Sequence, residues 1–210
     1  MRLDRRALLA LPLLVAGCGL SGRPYVARRD WGFDIRRPSV LPAPARGPVL
    51  LVRDLDSGPG MADRGLQTRL ADGQVDVAFY DRWAVPPAEG VADALRAWLL
   101  ASGKFSAVLG PASLATPDLV LEGEVQALYV QRGVAHAMLG IRLLDMHGAA
   151  PRIRLQRSLE GSAPVAGKVA GAPGAATGDA AAVATTDAAA EVAGMNAALA
   201  QVFGAIEAAA

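Results

Sequence analysis

Cys18 is the residue with the most evident chemistry in this chain, and it is the only cysteine among 210 residues. A lone thiol forms no intramolecular disulfide and builds no cysteine metal site. Its remaining chemistry is modification at sulfur, and its surroundings are those of an acylation site. Arg2, Arg5 and Arg6 make a basic start, Ala7 to Ala16 is apolar apart from Pro12, and Val15-Ala16-Gly17 stand directly ahead of Cys18. That order is an export signal with a lipobox-like end, cut just before Cys18. The apolar run reaches roughly 15 Å as helix, about half of a bilayer core, so it is too short for a permanent span. Lipidation of Cys18 would place a diacylglycerol on the sulfur and a third chain on the new amino terminus. One acyl chain binds a membrane marginally, at about 0.8 kcal/mol per buried CH₂, whereas two or three bind durably.

The other chemically capable residues form no comparable pattern. His136 and His147 are the only histidines, and neither has a ligand partner at metal spacing. Glu122 and Glu124 have the strand spacing that puts two carboxylates on one face, as an acid/base pair requires, but a solvated strand face reads the same way and is preferred. Ser57-Gly58-Pro59-Gly60 and Ala107-Val108-Leu109-Gly110-Pro111 contain glycine without the pattern or lysine of a phosphate loop. They read as turns. There is no Gly-x-Ser-x-Gly elbow. The sequence therefore leads to the expectation of no enzyme, no metal and no cofactor. Loss of residues 1 to 17 removes Arg2, Arg5, Arg6 and Asp4 and takes the formal charge from +1 to about −1, a balance that recruits no nucleic acid.

The elements behind these residues can be read from their periodicity. Residues 18 to 47 are rich in Gly, Pro and Arg and read as a lipidated tether, with Trp31 to Ile35 alternating as a short edge strand. The main domain is expected over 48 to 210. It opens with Val49-Leu50-Leu51-Val52, a branched run that fits a buried central strand. Leu66 to Leu70 and Val75 to Tyr80 flank Asp72-Gly73 as a hairpin. Val91, Leu95, Trp98 and Leu99 form one stripe of a helix over 86 to 102, opened by Pro86-Pro87 and closed at Ser102-Gly103. A short strand is expected over 105 to 109. The longest hairpin joins 119 to 131 with 134 to 145 through Arg132-Gly133; Leu119, Leu121, Val125 and Tyr129 are read on its buried face and Glu122, Glu124 and Gln126 on its wet face. Ile153 to Leu159 alternates as a further strand. The Gly/Ala-rich stretch at about 161 to 180 is expected to be a disordered loop. Val192, Met195, Leu199, Val202, Phe203 and Ile206 then mark a C-terminal helix. This order predicts an α+β fold, a mixed, largely antiparallel sheet with two amphipathic helices packed on one face.

Tyr80, Arg82, Trp83, Pro86 and Pro87 are the candidate functional cluster within this frame. The rings stand at a strand end and the prolines stiffen the way into the helix, so the cluster reads either as a strand-to-helix corner or as a partner contact. Arg82 suits a partner carboxylate, a lipid phosphate or a neighbouring carbonyl.

One segment resembles a known family. Tyr80-Asp81-Arg82-Trp83-Ala84-Val85-Pro86-Pro87, the helix carrying Val91 and Leu95, the run Leu100-Ala101-Ser102-Gly103-Lys104-Phe105-Ser106-Ala107-Val108, and Asp118-Leu119-Val120-Leu121-Glu122-Gly123 are similar to the ABC-type transport auxiliary lipoprotein (PqiC-like) family. The similarity spans roughly residues 40 to 160 and the last helix. It implies a non-catalytic periplasmic lipoprotein that works with an MCE-domain protein, an ABC permease and an ATPase to move lipids or other apolar molecules across the envelope. The partners expected are thus the membrane, through acylated Cys18, and that transport machinery, with a homo-oligomer of the chain open as a further possibility. Gly19 after the cysteine leans toward the outer membrane. The alternative is a lipoprotein adaptor for envelope or cell-wall assembly. Two features depart from the family pattern: the long Gly/Ala-rich stretch, and a chain end of alanines where an aromatic often closes the last helix.

Overall fold

The computed structural model describes residues 25–166 and 180–210. Cys18, the signal expected ahead of it and positions 167–179 of the expected loop lie outside the described residues. In chain order the elements are β1 (Arg29–Trp31), β2 (Val49–Val52), β3 (Asp56–Ser57), β4 (Gly65–Arg69), β5 (Val75–Trp83) and α1 (Pro87–Leu100). They continue with β6 (Ala107–Leu109), β7 (Leu119–Gln131), β8 (Val134–Asp145), β9 (Arg152–Pro164) and α2 (Ala180–Ala209).

β7 is the seam of a single mixed sheet. Along one side it pairs in turn with β2, β3 and β4, all parallel to it; along the other it pairs antiparallel with β8, which pairs antiparallel with β9. β6 flanks β2, and β5 and β1 extend the sheet beyond β4. β2 is therefore central, as its four branched residues predict, with Leu50 and Val52 fully buried. The long hairpin turns at Arg132 and Gly133, with φ of 50° and 76°, the left-handed pair that a two-residue turn between twisted strands requires.

Both helices lie on one face of the sheet, so the fold is α+β as the element order predicts. In α1, Pro87 occupies the first helical position, and Val91, Leu95, Trp98 and Leu99 are buried. In α2, Met195, Leu199, Val202, Phe203 and Ile206 are fully buried. Among the described residues one helical stretch, Ala188–Ala209, is long and apolar enough by composition to cross a membrane. Its stripe of large side chains is spent on the core instead, and Trp98 of α1 meets Phe203 edge-on at 5.8 Å.

Three expectations need correction. The register of β7 against β8 shifts between Val125 and Ala127, and one extra residue in a strand exchanges its two faces. Leu128 and Val130 point into the core beyond that bulge, and Tyr129 moves to the wet side, where it stacks on His136 at 5.1 Å. The edge strand expected over Trp31 to Ile35 lies earlier, at β1, so the segment expected as a tether is bound to the sheet from Arg29, and Ile35 is buried. The expected loop also starts too early. Residues 161–164 complete β9, with Gly161 and Ala163 buried beneath α2. A Cβ at Gly161 would overlap the Ala198 carbonyl oxygen; only a glycine lets the helix backbone approach the strand so closely.

Candidate functional site

The corner between β5 and α1 gathers residues from four parts of the chain. The Trp83 ring is 1 % exposed and stacks on Phe33, with centroids 4.0 Å apart and planes 10° from parallel. Phe33 in turn fills the space over Gly90 of α1, where any Cβ would strike its ring. The Trp83 backbone is held from both sides: its N–H donates to the Arg64 carbonyl at 2.7 Å, and its own carbonyl accepts from Arg64 Nε at 2.8 Å. Pro86 caps α1 and Pro87 is buried at its first turn.

Charges brace the same corner. Asp81 accepts hydrogen bonds from Arg29 Nη2 at 2.7 Å and from Trp31 Nε1 at 3.0 Å, so the carboxylate tethers β1 to β5 while it is nearly buried. Arg82 donates to Asp30 at 2.7 Å, which makes its partner a carboxylate of its own chain. Tyr80 stands apart from this arrangement. It is exposed and meets only Phe79, edge-on at 5.1 Å, among the aromatic contacts of the described residues. Trp83, Arg82, Pro86 and Pro87 are thus brought together, and Tyr80 is not. Cys18 lies outside the described residues.

A second cluster escapes sequence reasoning altogether. Glu207, near the end of α2, accepts from Arg37 Nε and Nη2 at 3.0 and 3.1 Å and from Trp98 Nε1 at 2.8 Å, and Lys104 Nζ donates to its backbone carbonyl. The hydrogen bonds from Arg37 hold the Glu207 carboxyl below its ordinary pKa, against the opposing effect of burial and with help from Trp98. This one residue ties the N-terminal segment, α1 and the chain end together. The only signal in the sequence is a single carboxylate set among the closing alanines.

The open face of the sheet carries further charges. Glu122 accepts from Arg142 at 2.7 Å, Glu124 from Gln126 at 2.8 Å, and Gln126 from Ser158 at 2.6 Å. These groups line a groove of about 680 Å³ with Arg53, Asp54 and Arg157. The two glutamates are held by separate partners. His147 sits between Asp145 and Asp118, at 2.9 and 3.2 Å, on the surface. No group of three or more His, Cys, Asp or Glu that could hold a metal ion occurs among the described residues.

This arrangement defines an α+β domain whose fixed polar side chains brace one element against another. The chain belongs to the family described as the ABC-type transport auxiliary lipoprotein component, which matches residues 35–207. No curated protein matches it. Among solved structures it is similar to a Xanthomonas campestris protein of the DUF330 family, with a TM-score of 0.66 and 20 % identity over 85 % of this chain and 92 % of that one. It is also similar to an uncharacterised protein, with a TM-score of 0.64 and 12 % identity over 87 % and 98 % of the two chains. A hypothetical protein from Chlamydia trachomatis follows, with a TM-score of 0.50 and 12 % identity over 78 % and 95 %. At these identities the three structures speak for the fold alone.

Proposed function

We propose that this protein is a non-catalytic, lipid-anchored auxiliary component of an MCE-type ABC transport system, acting on the periplasmic side of the envelope to move lipids or other apolar molecules. Acyl chains on Cys18 hold it to a membrane, the outer in preference to the inner. The family match over residues 35–207 carries the reading, because it takes in both helices and the Trp83 corner. The residues ahead of the match, with their lipobox-like end at Cys18, agree with it. In this reading the domain works as a scaffold: its partners supply the substrate-binding site, the permease and the ATPase, and this chain contributes shape and location.

The test is affinity purification of the full chain from its own envelope in mild detergent. The expected result is co-purification of an MCE-domain protein with an ABC permease and ATPase. Recovery of cell-wall synthases in their place would overturn the transport reading in favour of an adaptor for envelope assembly.

A further inference from the structure

The hairpin formed by β4 and β5 outruns the core. Towards its turn, Leu70, Val75 and Val77 are exposed, and Phe79 is 68 % exposed. Val77 and Phe79 line a shallow groove with Arg28, Gly65 and Arg82. Single exposed apolar residues need no explanation, but Val75, Val77 and Phe79 alternate along one face of the projecting hairpin and form a patch that calls for a cover.

The course of the N-terminal chain bears on what lies over it. β1 runs parallel to β5, with Arg29 beside Asp81 and Trp31 beside Trp83, so the residues ahead of Arg29 run back toward the turn at Asp72-Gly73. Arg28 confirms that course by lying over the Phe79 ring at 4.8 Å. Tyr25, the first described residue, is 91 % exposed. Seven residue steps lead from Tyr25 back to Cys18, a reach of at most about 25 Å. Whatever holds Cys18 therefore lies within that distance of Tyr25, which the course of β1 carries toward the hairpin turn.

We propose that the β4–β5 hairpin rests on the same lipid surface that holds Cys18, with Val75, Val77 and Phe79 at the boundary between headgroups and acyl chains and Arg28 among the lipid phosphates. The inference rests on the acylation of Cys18 proposed above. An exposed aromatic beside an arginine suits that boundary, where a ring is half buried and a guanidinium finds phosphate oxygens. Asp72 and Asp76 flank the turn, and the cost of burying a carboxylate keeps the hairpin from entering end-on. It lies along the surface and penetrates shallowly. The β7–β8 turn is at the same end, since β4 runs parallel to β7 with Thr68 beside Val130. The connection between β8 and β9, around Gly148 and Ala149, then points away from the membrane.

The acylated full chain carries no free thiol in this reading, so an introduced cysteine gives a unique label. Phe79→Cys, Val75→Cys and Ala149→Cys are each labelled with an environment-sensitive maleimide fluorophore and reconstituted in vesicles of phosphatidylethanolamine and phosphatidylglycerol that contain a headgroup spin-labelled lipid. The expected result is that labels at 79 and 75 lose most of their emission to the quencher while the label at 149 keeps its own; Val75→Cys covers the case in which Phe79→Cys fails to fold. Chain that floats with the vesicles yet shows unquenched labels at 79 and 75 overturns the hairpin contact and leaves the anchor standing. A label at 79 that is shielded from water but out of reach of the lipid quencher also overturns it, and assigns the patch to a protein partner. Chain that does not float with vesicles overturns the anchor and the hairpin contact with it.

Discussion

Trp83 shows how much of the corner depends on single side chains. Its ring is almost wholly buried and stacks on Phe33, and its backbone is held by hydrogen bonds to the Arg64 carbonyl and from the Arg64 side chain. Truncating a fully buried aromatic typically costs about 3–5 kcal/mol, a large share of the ~5–15 kcal/mol that keeps a domain folded. Trp83→Ala should lower the melting temperature by on the order of 10 °C, with abundance and transport falling in proportion. A melt within about 2 °C of the parent protein, together with loss of partner binding, would reverse this and make Trp83 a contact residue. The tryptophan and the two prolines are legible in the sequence because a large ring at a strand end and Pro-Pro ahead of a helix carry local meanings. Phe33 and Asp81 are not. Their partners lie about 50 residues away or more in the chain, and no local pattern records which distant ring or cation will arrive.

At the scale of elements, two contacts decide how the helices sit. Gly161 lets α2 close on β9, and Gly161→Val would drive a branched side chain into the Ala198 carbonyl and Val202. Overpacking of this kind costs about 1–3 kcal/mol or more when backbone must move, so the variant should melt several degrees lower, and unchanged melting would show that the helix can retreat freely. Glu207 is the second contact. Its carboxyl pKa is lowered in the folded chain by Arg37, so the clasp adds stability above the unfolded-chain value of about 4.3 and loses it as pH falls through the lower folded value. Glu207→Gln should therefore lower the melting temperature at neutral pH by roughly 2–4 °C, the shift expected for about 1 kcal/mol in a domain of this size. The gap from the parent should narrow as pH drops below about 4, and a gap that stays constant with pH would remove the clasp from the account. Period and turn chemistry make β2, α1 and the Arg132-Gly133 turn legible from sequence. The bulge at Val125–Ala127 is not, because one inserted residue exchanges the faces of a strand without altering its composition. Residues 161–164 mislead for a related reason: small side chains read as too little to pack, yet their smallness is what admits a helix backbone.

For the molecule as a whole, the proposed function assigns folding and location to different stretches of chain. The buried core runs from Ile35 to Ile206, whereas the proposed anchor is a single residue at position 18. Folding should therefore be indifferent to acylation, and membrane attachment should depend on it almost entirely. With a net charge near zero, electrostatic attraction cannot hold the protein on a bilayer by itself, and the exposed hairpin side chains add too little apolar area to replace two or three acyl chains. Cys18→Ser should consequently yield an unprocessed or mislocalised protein, while its folded domain, released from residues 1 to 24 by limited proteolysis, melts within about 2 °C of the same fragment from the acylated parent. Intact-mass measurement of the parent should find Cys18 at the amino terminus carrying diacylglycerol and a further acyl chain. An unmodified amino terminus at residue 19, on protein that stays in the supernatant when membranes are pelleted, would overturn the anchor and with it the placement of the hairpin. Acylated parent whose folded fragment melts far from that of Cys18→Ser would instead show that the lipid anchor takes part in folding, and that the separation argued from the position of the core does not hold.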